Sequence, residues 1–372
     1  MVTDAQRAEH ADRLRGLLYL ACPDATGNAI TATAAAITEH ADETPQEPVL
    51  PAAQLSDQSS DTRQLMLTHA DLSGAGLHAA NLAGADLSDA NLAGADLSDA
   101  NLAGTDLGGA RLAGANLTRA NLHYANLPGT DLSSANLTGA NLYCATLHTA
   151  NLVGTDLKRA ILDYANLDSA RLAGANLRDA NLTRSTLIDS DLSGSDLSHA
   201  TLSRADLTSA NLRYAHLTRA DLEHTNLTRV DLYHADLSEA YLRRSQLRSA
   251  LLAEANLRYA DLQEASLREA NLTSADLTSA DLIRADLTGA DLTEADLTEA
   301  YLYGTNLTGV NLKGTQLTRV QDMLLPAGAI WDSLTRWPPN LVSVATEQSD
   351  EVQPGVYQVR GGHNPDRSTA QV

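Results

Sequence analysis

Leucine recurs at every fifth position from Leu67 to Leu317, fifty-one times without interruption. From Leu72 onward, the residue two places before each leucine is always Ala, Thr, Ser or Val. In its most regular form the unit reads Ala-Asp/Asn-Leu-x-x, as in residues 85–89. A period of five fits neither the α-helix, which repeats at 3.6 residues, nor the strand, which alternates at two. The pattern therefore predicts a solenoid.

Each five-residue unit divides into a short side and a corner. The small residue and the leucine are two positions apart, so in an extended segment both point inward while the Asp or Asn between them points to solvent. The last two positions are rich in Gly, Ser, Thr, Arg and Asp. Gly and Asx residues supply turn geometry and local hydrogen bonds. We therefore expect an interior of leucine lined with alanine, which a charged residue would disrupt.

This repeat resembles the A(D/N)LXX signature of the pentapeptide-repeat family. The resemblance covers residues 67–320, and it implies an all-β solenoid, a right-handed quadrilateral β-helix in which four pentapeptides make one coil of twenty residues. At four units per coil the chain would hold about 13 coils and, with strands about 4.8 Å apart, would be about 60 Å long. The uninterrupted repeat predicts a straight rod without projecting loops.

The segments before the repeat differ in composition. Residues 1–40 are predicted to be a helical N-terminal segment, in which Thr3 or Asp4 caps a first helix and Pro23 ends it. Residues 41–64 contain several prolines and polar residues and are predicted to be a flexible linker, before the repeat block at residues 65–320. The helices either form a small tethered module or cover the first coil.

The leucine register stops after Leu317, because Asp322 stands where the next leucine is required. An open coil exposes unpaired strand edges, so we predict a C-terminal cap over residues 321–340, followed by a polar tail over residues 341–372 with one possible short strand. These residues either close a monomer or form a homodimer contact, as the family resemblance implies. The candidates are Leu324, Leu325, Ile330, Trp331, Leu334 and Trp337.

Six of the nine tyrosines in the repeat fall on one side when positions are sorted by a period of twenty. Three of them, Tyr124, Tyr143 and Tyr164, would form a series one coil apart. Exposed aromatic residues are enriched where proteins meet, but stacked surface tyrosines also stabilise a sheet. This series is therefore a candidate interaction surface, with a structural role as the alternative.

The net charge of −21 argues against direct binding to nucleic acid, which requires basic contacts to phosphate. Some members of the family that protect DNA gyrase from quinolones are acidic rods that resemble duplex DNA. DNA carries one charge per roughly 1.7 Å, so about 60 Å of rod would need on the order of 35 negative charges, more than the repeat block carries. Any mimicry would be local, and its best candidates are Asp286, Asp291, Glu294, Asp296 and Glu299.

Other functional classes find little support in the sequence. A filled solenoid offers no concave, partly dry place for catalysis, so we expect no enzyme activity. His123 and Cys144 fall on one side of adjacent coils, but two ligands are fewer than a metal site uses, and we expect no metal or cofactor. No apolar run is long enough to span a membrane. The two unpaired cysteines and the lack of a signal peptide favour a cytoplasmic location.

The sequence thus predicts a non-enzymatic scaffold that presents a rigid β-helical surface to a protein partner. The alternative is a DNA-mimicking binder of a type II topoisomerase such as DNA gyrase, with the acidic C-terminal half as its contact surface. The repeat pattern does not specify the partner.

Overall fold

The computed structural model describes residues 65–361, which fall into two compact units that divide after Ser185. Unit 1 comprises residues 65–185 and unit 2 residues 186–361. The predicted N-terminal helices, the linker and the last residues, 362–372, lie outside the described residues.

Each unit is a four-sided β-helix. Within each unit, the outward residue of a pentapeptide, most often Asp or Asn, forms a parallel bridge with the residue twenty positions later, as in the series Asp86, Asp106 and Asn126 of unit 1. The next pentapeptide along the chain starts a separate series, such as Asn91 with Arg111. Since four such series run side by side, one coil takes twenty residues and four sides. This confirms the quadrilateral cross-section that the family resemblance implied.

A tight turn forms each corner. The carbonyl of Leu87 accepts a hydrogen bond of 3.0 Å from the amide of Ala90, and Asp89, the third residue of this turn, has φ of 55°. Positive φ at the third residue but not at the second defines a type II turn. The same position is left-handed throughout both units, in glycines and in many other residues.

The backbone amides of a pentapeptide are nearly all bonded by the repeat itself. The leucine and the second corner residue donate to the following coil, the Asp or Asn donates to the preceding coil, and the small residue donates across the turn. The first corner residue has no backbone acceptor. Instead its amide donates to the Asp or Asn side chain two residues earlier, as Ser88 does to Asp86 over 3.0 Å.

The interior of both units is leucine, as predicted. Every repeat leucine from Leu82 to Leu182 in unit 1, and from Leu187 to Leu317 in unit 2, is buried. Inward Thr and Ser residues are satisfied by leucine carbonyls, as Thr155 Oγ1 is by Leu132 over 2.8 Å. At the first coil of unit 1, Leu67 and Leu77 remain partly exposed among the described residues.

The C-terminal end of unit 2 carries a short helix and three strands: β1 (Ile330–Asp332), α1 (Val342–Glu347), β2 (Ser349–Gln353) and β3 (Val356–Val359). The strands form one antiparallel sheet in the order β1-β3-β2. Its edge continues the coil, because Ile330 bridges to Asn311 and Arg336 bridges to Gln316.

This register places both tryptophans where the next coil would have leucines. Trp331 follows Ile330 as Leu312 follows Asn311, and Trp337 follows Arg336 as Leu317 follows Gln316. Both indoles are buried and meet edge to face, with ring centroids 5.8 Å apart. Trp331 also stacks on Tyr357 of β3 at 4.7 Å, and its Nε1 donates to Ser349 of β2. The tryptophans therefore close the leucine interior.

This end differs from the sequence prediction in its strands. The tail was predicted to be polar with one possible short strand, but residues 341–361 contain α1, β2 and β3. Of the six residues predicted to form either a cap or a dimer contact, Leu324 and Leu334 do not cover the core, because they are 80% and 63% exposed. Ile330 and Leu325 are half-buried. The large indole rings and the three-stranded sheet cover the area that the leucines were expected to fill.

Candidate interaction surfaces

Tyr124, Tyr143 and Tyr164 form a continuous aromatic series on one corner of unit 1, here called the tyrosine ladder. Successive ring centroids are 5.8 Å apart, with interplanar angles of 85° and 69°. The residues alternate between the first and second positions of the corner, so neighbouring rings meet edge to face. All three are exposed, Tyr124 to 58%. The predicted placement of these tyrosines is confirmed.

Polar groups join both ends and the middle of the tyrosine ladder. The ring of His123 lies 4.6 Å from that of Tyr124. A hydrogen bond with the half-buried thiol of Cys144 raises the pKa of Tyr143. At the other end, Arg184 donates to the hydroxyl of Tyr164 over 2.7 Å and lies over its ring. His123 and Cys144 thus belong to the aromatic surface.

Side A is the side of unit 1 that precedes the tyrosine ladder in each coil. Its outward residues are Asn81, Asn101, Asn121, Asn141, Ile161 and Asn181. The first four asparagines form an amide ladder, in which each Nδ2 donates to the Oδ1 of the preceding coil over 3.1–3.3 Å.

Ile161 interrupts this amide ladder. Its side chain is 42% exposed and cannot accept the bond from Asn181, which donates to Asp163 instead. An apolar residue therefore occupies an outward position, and the hydrogen bond that an asparagine there would donate to Asn141 is missing. Sequence reasoning missed Ile161, although its departure from Asp or Asn at the second position of the signature is visible in the chain.

A second aromatic cluster, in unit 2, was also missed. Tyr214 contacts Tyr233 edge to face at 5.8 Å and stacks on His234 at 5.5 Å. Arg213 lies 4.4 Å over the ring of Tyr233, and His234 is 2.7 Å from Glu254. Desolvation and a hydrogen bond to Glu254 raise the pKa of Tyr233. The separation of Tyr214 and His234 by one twenty-residue period was the available signal.

The acidic C-terminal residues are distributed over several faces of unit 2. Asp286, Asp291 and Asp296 belong to three different bridge series, so they lie on three sides of the coil. Glu294 lies at the corner between the sides of Asp291 and Asp296, and Glu299 lies at the corner that follows the side of Asp296. A flat partner would therefore meet only part of this set.

Two of the five acidic residues are neutralised by arginine. Arg268 lies 3.0 Å from Asp286, and Arg319 lies 3.0 Å from Glu299. Partial burial raises the pKa of Asp286, but hydrogen bonds from Thr288 and Arg268 outweigh it and hold that pKa below its ordinary value. Among residues 65–361, Asp291, Glu294 and Asp296 have no basic group within 4.0 Å.

Over residues 65–361 there is no group of three or more His, Cys, Asp or Glu side chains placed to hold a metal ion. An open groove of about 570 Å³ lies at the C-terminal end of unit 2, with Asp322 as its one ionisable carboxylate. Its other lining residues are Tyr303, Gly304, Val320, Met323, Leu324, Pro338 and Asn340.

Comparison with known protein families identifies the same repeat that forms the coils. The family described as pentapeptide repeats matches in eight copies, over residues 67–99, 100–139, 115–152, 140–179, 250–289 and 285–320. A related family, described as a pentapeptide repeat region, matches residues 160–237. The chain belongs to the pentapeptide-repeat family. No match was found among curated protein sequences.

Several solved structures of pentapeptide-repeat proteins are similar to this one. HetL, involved in heterocyst differentiation regulation in the cyanobacterium Nostoc sp. strain PCC 7120, is 36% identical over 63% of this chain and 90% of its own, with a TM-score of 0.27. Alr5209 from Nostoc PCC 7120 is 31% identical over 30% of this chain and 79% of its own, with a TM-score of 0.24. QnrB1, a plasmid-mediated fluoroquinolone resistance protein, is 17% identical over 64% and 95%, with a TM-score of 0.22.

Within residues 65–361, no helix of this pentapeptide-repeat protein is both long and apolar enough to cross a bilayer.

Proposed function

We propose that this pentapeptide-repeat protein is a non-enzymatic scaffold that binds a protein partner through side A and the tyrosine ladder of unit 1. The observation that supports this most is Ile161, an apolar side chain in an outward position of an otherwise polar side. Tyrosine is enriched at protein interfaces, and energetically important contacts cluster around such anchors.

Stability alone accounts for only part of this surface. Edge-to-face aromatic pairs contribute about 0.5–1.5 kcal/mol each, so the tyrosines partly support one another. Ile161 has no such ring contact, and it cannot donate to Asn141 as Asn141 donates to Asn121, whereas Asn181 on the following coil bonds to Asp163. Full burial of an exposed isoleucine contributes about 1.5–3 kcal/mol, and because Ile161 is 42% exposed, a partner that covered it would gain on the order of 1 kcal/mol. The residue is thus better suited to binding than to folding.

Ile161→Asn tests the proposal, because it completes the amide ladder while it removes the apolar anchor. Full-length wild-type protein, Ile161→Asn and the triple variant Tyr124→Ser, Tyr143→Ser, Tyr164→Ser are each immobilised, and captured proteins are quantified from a lysate of the source cells. We expect both variants to lose the specific partner, with Ile161→Asn at least as stable as the wild type. Leu251→Asn, at an exposed outward position of unit 2, is the matched control. Equal capture by all four proteins would contradict the proposal.

A second candidate function is binding of a type II topoisomerase such as DNA gyrase through the acidic part of unit 2. The lack of basic partners for Asp291, Glu294 and Asp296 in the described chain favours it. Carboxylates without a basic partner present more charge to a DNA-binding surface than paired ones do. Because Asp286 and Glu299 are each paired with an arginine, any DNA mimicry would depend on Asp291, Glu294 and Asp296.

Gyrase supercoiling with and without a quinolone tests this second candidate. We expect the wild type to change supercoiling or to protect the enzyme, and Asp291→Asn, Glu294→Gln, Asp296→Asn to lose that effect. Neutralisation of the paired residues, Asp286→Asn and Glu299→Gln, is the control and should have the smaller effect. No effect of the wild type at micromolar concentration would eliminate this candidate.

We also propose a homodimer contact at the C-terminal end of unit 2. Leu324 and Leu334, predicted to form either a cap or a dimer contact, are exposed at the end that Trp331 and Trp337 close. Contiguous exposed apolar surface marks sites where proteins bind one another, and these two leucines would contribute to such a surface.

A further inference from the structure

The basic residues of unit 1 are concentrated around side A. Residues 65–185 contain seven Lys and Arg residues, and only Arg111 and Arg171 lie away from this side. Four of the others occupy the corner that precedes side A, and one occupies the tyrosine corner: Arg119, Lys158, Arg159, Arg178 and Arg184. Between residues 118 and 184, this side and its two corners hold just two carboxylates, Asp163 and Asp179. Side A is therefore locally basic on a chain of net charge −21.

The carboxylates nearby do not neutralise this excess. Arg119 is bonded to Asp99 over 2.6 Å. Asp179 lies 4.0 Å from both Arg159 and Arg178, so one acid serves two cations. Arg184 is bonded to a tyrosine hydroxyl. Lys158 has no carboxylate within 4.0 Å among residues 65–361.

The middle of this basic surface is apolar. Ile161 lies between Lys158 and Arg159 on one corner and the tyrosine ladder on the other. An apolar centre with a charged rim is the usual arrangement of a protein-binding site. Because the rim is positively charged and the centre is apolar, a matching partner is acidic and carries a few apolar side chains.

The chain itself contains such a segment, next to the start of unit 1. Residues 39–61 hold no Lys or Arg, and their apolar side chains Val49, Leu50 and Leu55 lie between acidic groups. The acidic residues are Glu39, Asp42, Glu43, Glu47, Asp57 and Asp61.

The connection is long enough for this segment to reach Ile161. The described chain begins at Leu65, and Ile161 lies four coils from Asn81 in the first coil, about 20 Å along the axis at 4.8 Å per coil. The residues between Glu47 and Leu65 span up to about 60 Å when extended. A tether of this length gives an effective concentration in the millimolar range, which suffices for a weak electrostatic contact.

We propose that residues 39–61 bind in cis to side A of unit 1, covering Ile161 and the tyrosine ladder. An external partner at this surface must then displace the chain's own acidic segment. This inference depends on the proposed function only for the identity of the surface, and its test needs no external partner.

The scarcity of lysine gives a direct test. The chain contains only two lysines, Lys158 beside side A and Lys313 in unit 2. A carbodiimide that joins contacting amine and carboxylate groups is applied to the full-length protein, and the linked peptides are identified by mass spectrometry. We expect Lys158 to be joined to Glu43, Glu47, Asp57 or Asp61, and Lys313 to show no link to residues 39–61. The yield should fall severalfold in about 1 M salt, where the screening length is about 3 Å.

Isotope mixing distinguishes binding within one chain from binding between chains. Heavy and light protein are mixed before cross-linking, and we expect links only within one isotope. Links between heavy and light chains would overturn the cis arrangement. Equal linking of Lys158 and Lys313 to residues 39–61, or no link to this segment at all, would overturn the proposal.

The thiol of Cys144 gives a second measurement, on the tyrosine corner. In full-length protein with Cys22→Ser, the alkylation rate of Cys144 is compared with that of a variant whose six acidic residues in 39–61 are neutralised. We expect the neutralised variant to react at least threefold faster, and salt to accelerate only the unneutralised protein. Neutralisation of Asp4, Glu9, Asp12 and Asp24 is the control and should leave the rate unchanged. Equal rates for all three proteins would contradict the coverage of this corner.

Discussion

At the scale of the residue, the Asp or Asn of each pentapeptide completes the hydrogen bonding of the coil. Its carboxylate or amide oxygen accepts the one backbone amide that no carbonyl reaches, and an asparagine also donates to the coil before it. Buried or half-buried amides without an acceptor cost about 1–3 kcal/mol, so this position is constrained although it faces solvent. Sequence reasoning assigned it only an outward direction.

Ser98→Ala should weaken unit 1 in a pH-dependent way. The Ser98 hydroxyl donates to Asp96 over 2.6 Å and is the main cause that holds the pKa of Asp96 below its ordinary value. A lowered carboxylate pKa stabilises the fold above the unfolded pKa of about 4, and this stabilisation is lost as pH falls through the folded value. We expect a loss of about 0.5–1.5 kcal/mol near pH 7, shrinking toward pH 3. Urea unfolding across this range measures it.

Thr138→Val is the control for this experiment. The Thr138 hydroxyl donates to Asn136, an uncharged acceptor, over 2.7 Å. Its removal should cost a similar amount at every pH. A pH-independent loss for Ser98→Ala would show that the charge of Asp96 does not contribute.

At the scale of the pentapeptide, the second corner residue carries the conformational strain. Its backbone is left-handed in every pentapeptide of units 1 and 2, and this conformation costs a residue other than glycine about 1–2 kcal/mol. Arg, Ser, Asp, Glu and Tyr all occupy it, and so does the β-branched Thr149, with φ of 58°. The interior and the parallel ladder outweigh this strain, which explains why the corner sequence varies while the leucine does not.

Thr149→Gly should stabilise unit 1. Relief of left-handed strain is worth about 1–2 kcal/mol and exceeds the added chain entropy of glycine, about 0.5–1 kcal/mol. We expect a net gain of about 0.5–1 kcal/mol in the free energy of unfolding, measured by urea. Thr146→Gly, at a bridge position of the same pentapeptide, is the control and should destabilise. A loss at both positions would contradict the strain argument.

Leu142→Ala should be far more costly than the neighbouring Tyr143→Ala. Leu142 is fully buried in the interior, and removal of a buried leucine costs about 2–5 kcal/mol because a cavity remains. Tyr143 is exposed and loses only its ring contacts, worth about 0.5–1.5 kcal/mol each. Thermal unfolding of both variants gives the comparison, and similar losses would contradict a leucine-filled interior.

The repeat could be predicted from sequence because each side is local. Five residues determine which side chain points inward, and the twenty-residue period then places Tyr124, Tyr143 and Tyr164 together. The C-terminal cap depends on pairing between β1 and β3, whose partners Trp331 and Tyr357 are far apart in the chain. Short strands of this kind have no periodic signal, so their number was underestimated. Ile161 was overlooked because its meaning depends on the amide ladder around it.

At the scale of the whole molecule, the acidic composition conceals local differences in charge. Corner residues one coil apart form ion pairs such as Arg219 with Glu239 and Arg244 with Glu264, at 2.7 and 2.8 Å. Exposed pairs of this kind contribute at most about 1 kcal/mol each, but they cancel charge where a partner would meet it. Net charge is therefore a poor guide to binding here, and the carboxylates without a basic partner and the basic side A matter more.

Leu324→Asp with Leu334→Asp should keep the protein monomeric. We expect the wild type to self-associate at micromolar concentration through these exposed leucines, and the double variant to sediment as a monomer, because charge at an apolar contact is costly. Analytical ultracentrifugation of the full-length chain measures this. Leu251→Asp, on an outward position of unit 2, is the control and should leave the association unchanged. A monomeric wild type would contradict the dimer contact.

Because both indoles lie at the C-terminal end, unfolding of this end can be followed separately from unfolding of the coils. Both tryptophans of the chain, Trp331 and Trp337, cover the last coil of unit 2. Selectively excited indole fluorescence therefore reports on detachment of this closing layer, whereas circular dichroism reports on the coils as a whole. In a molecule whose repeats contact mainly their neighbours, the two signals need not change together. An earlier fluorescence transition would identify this end as the place where unravelling starts.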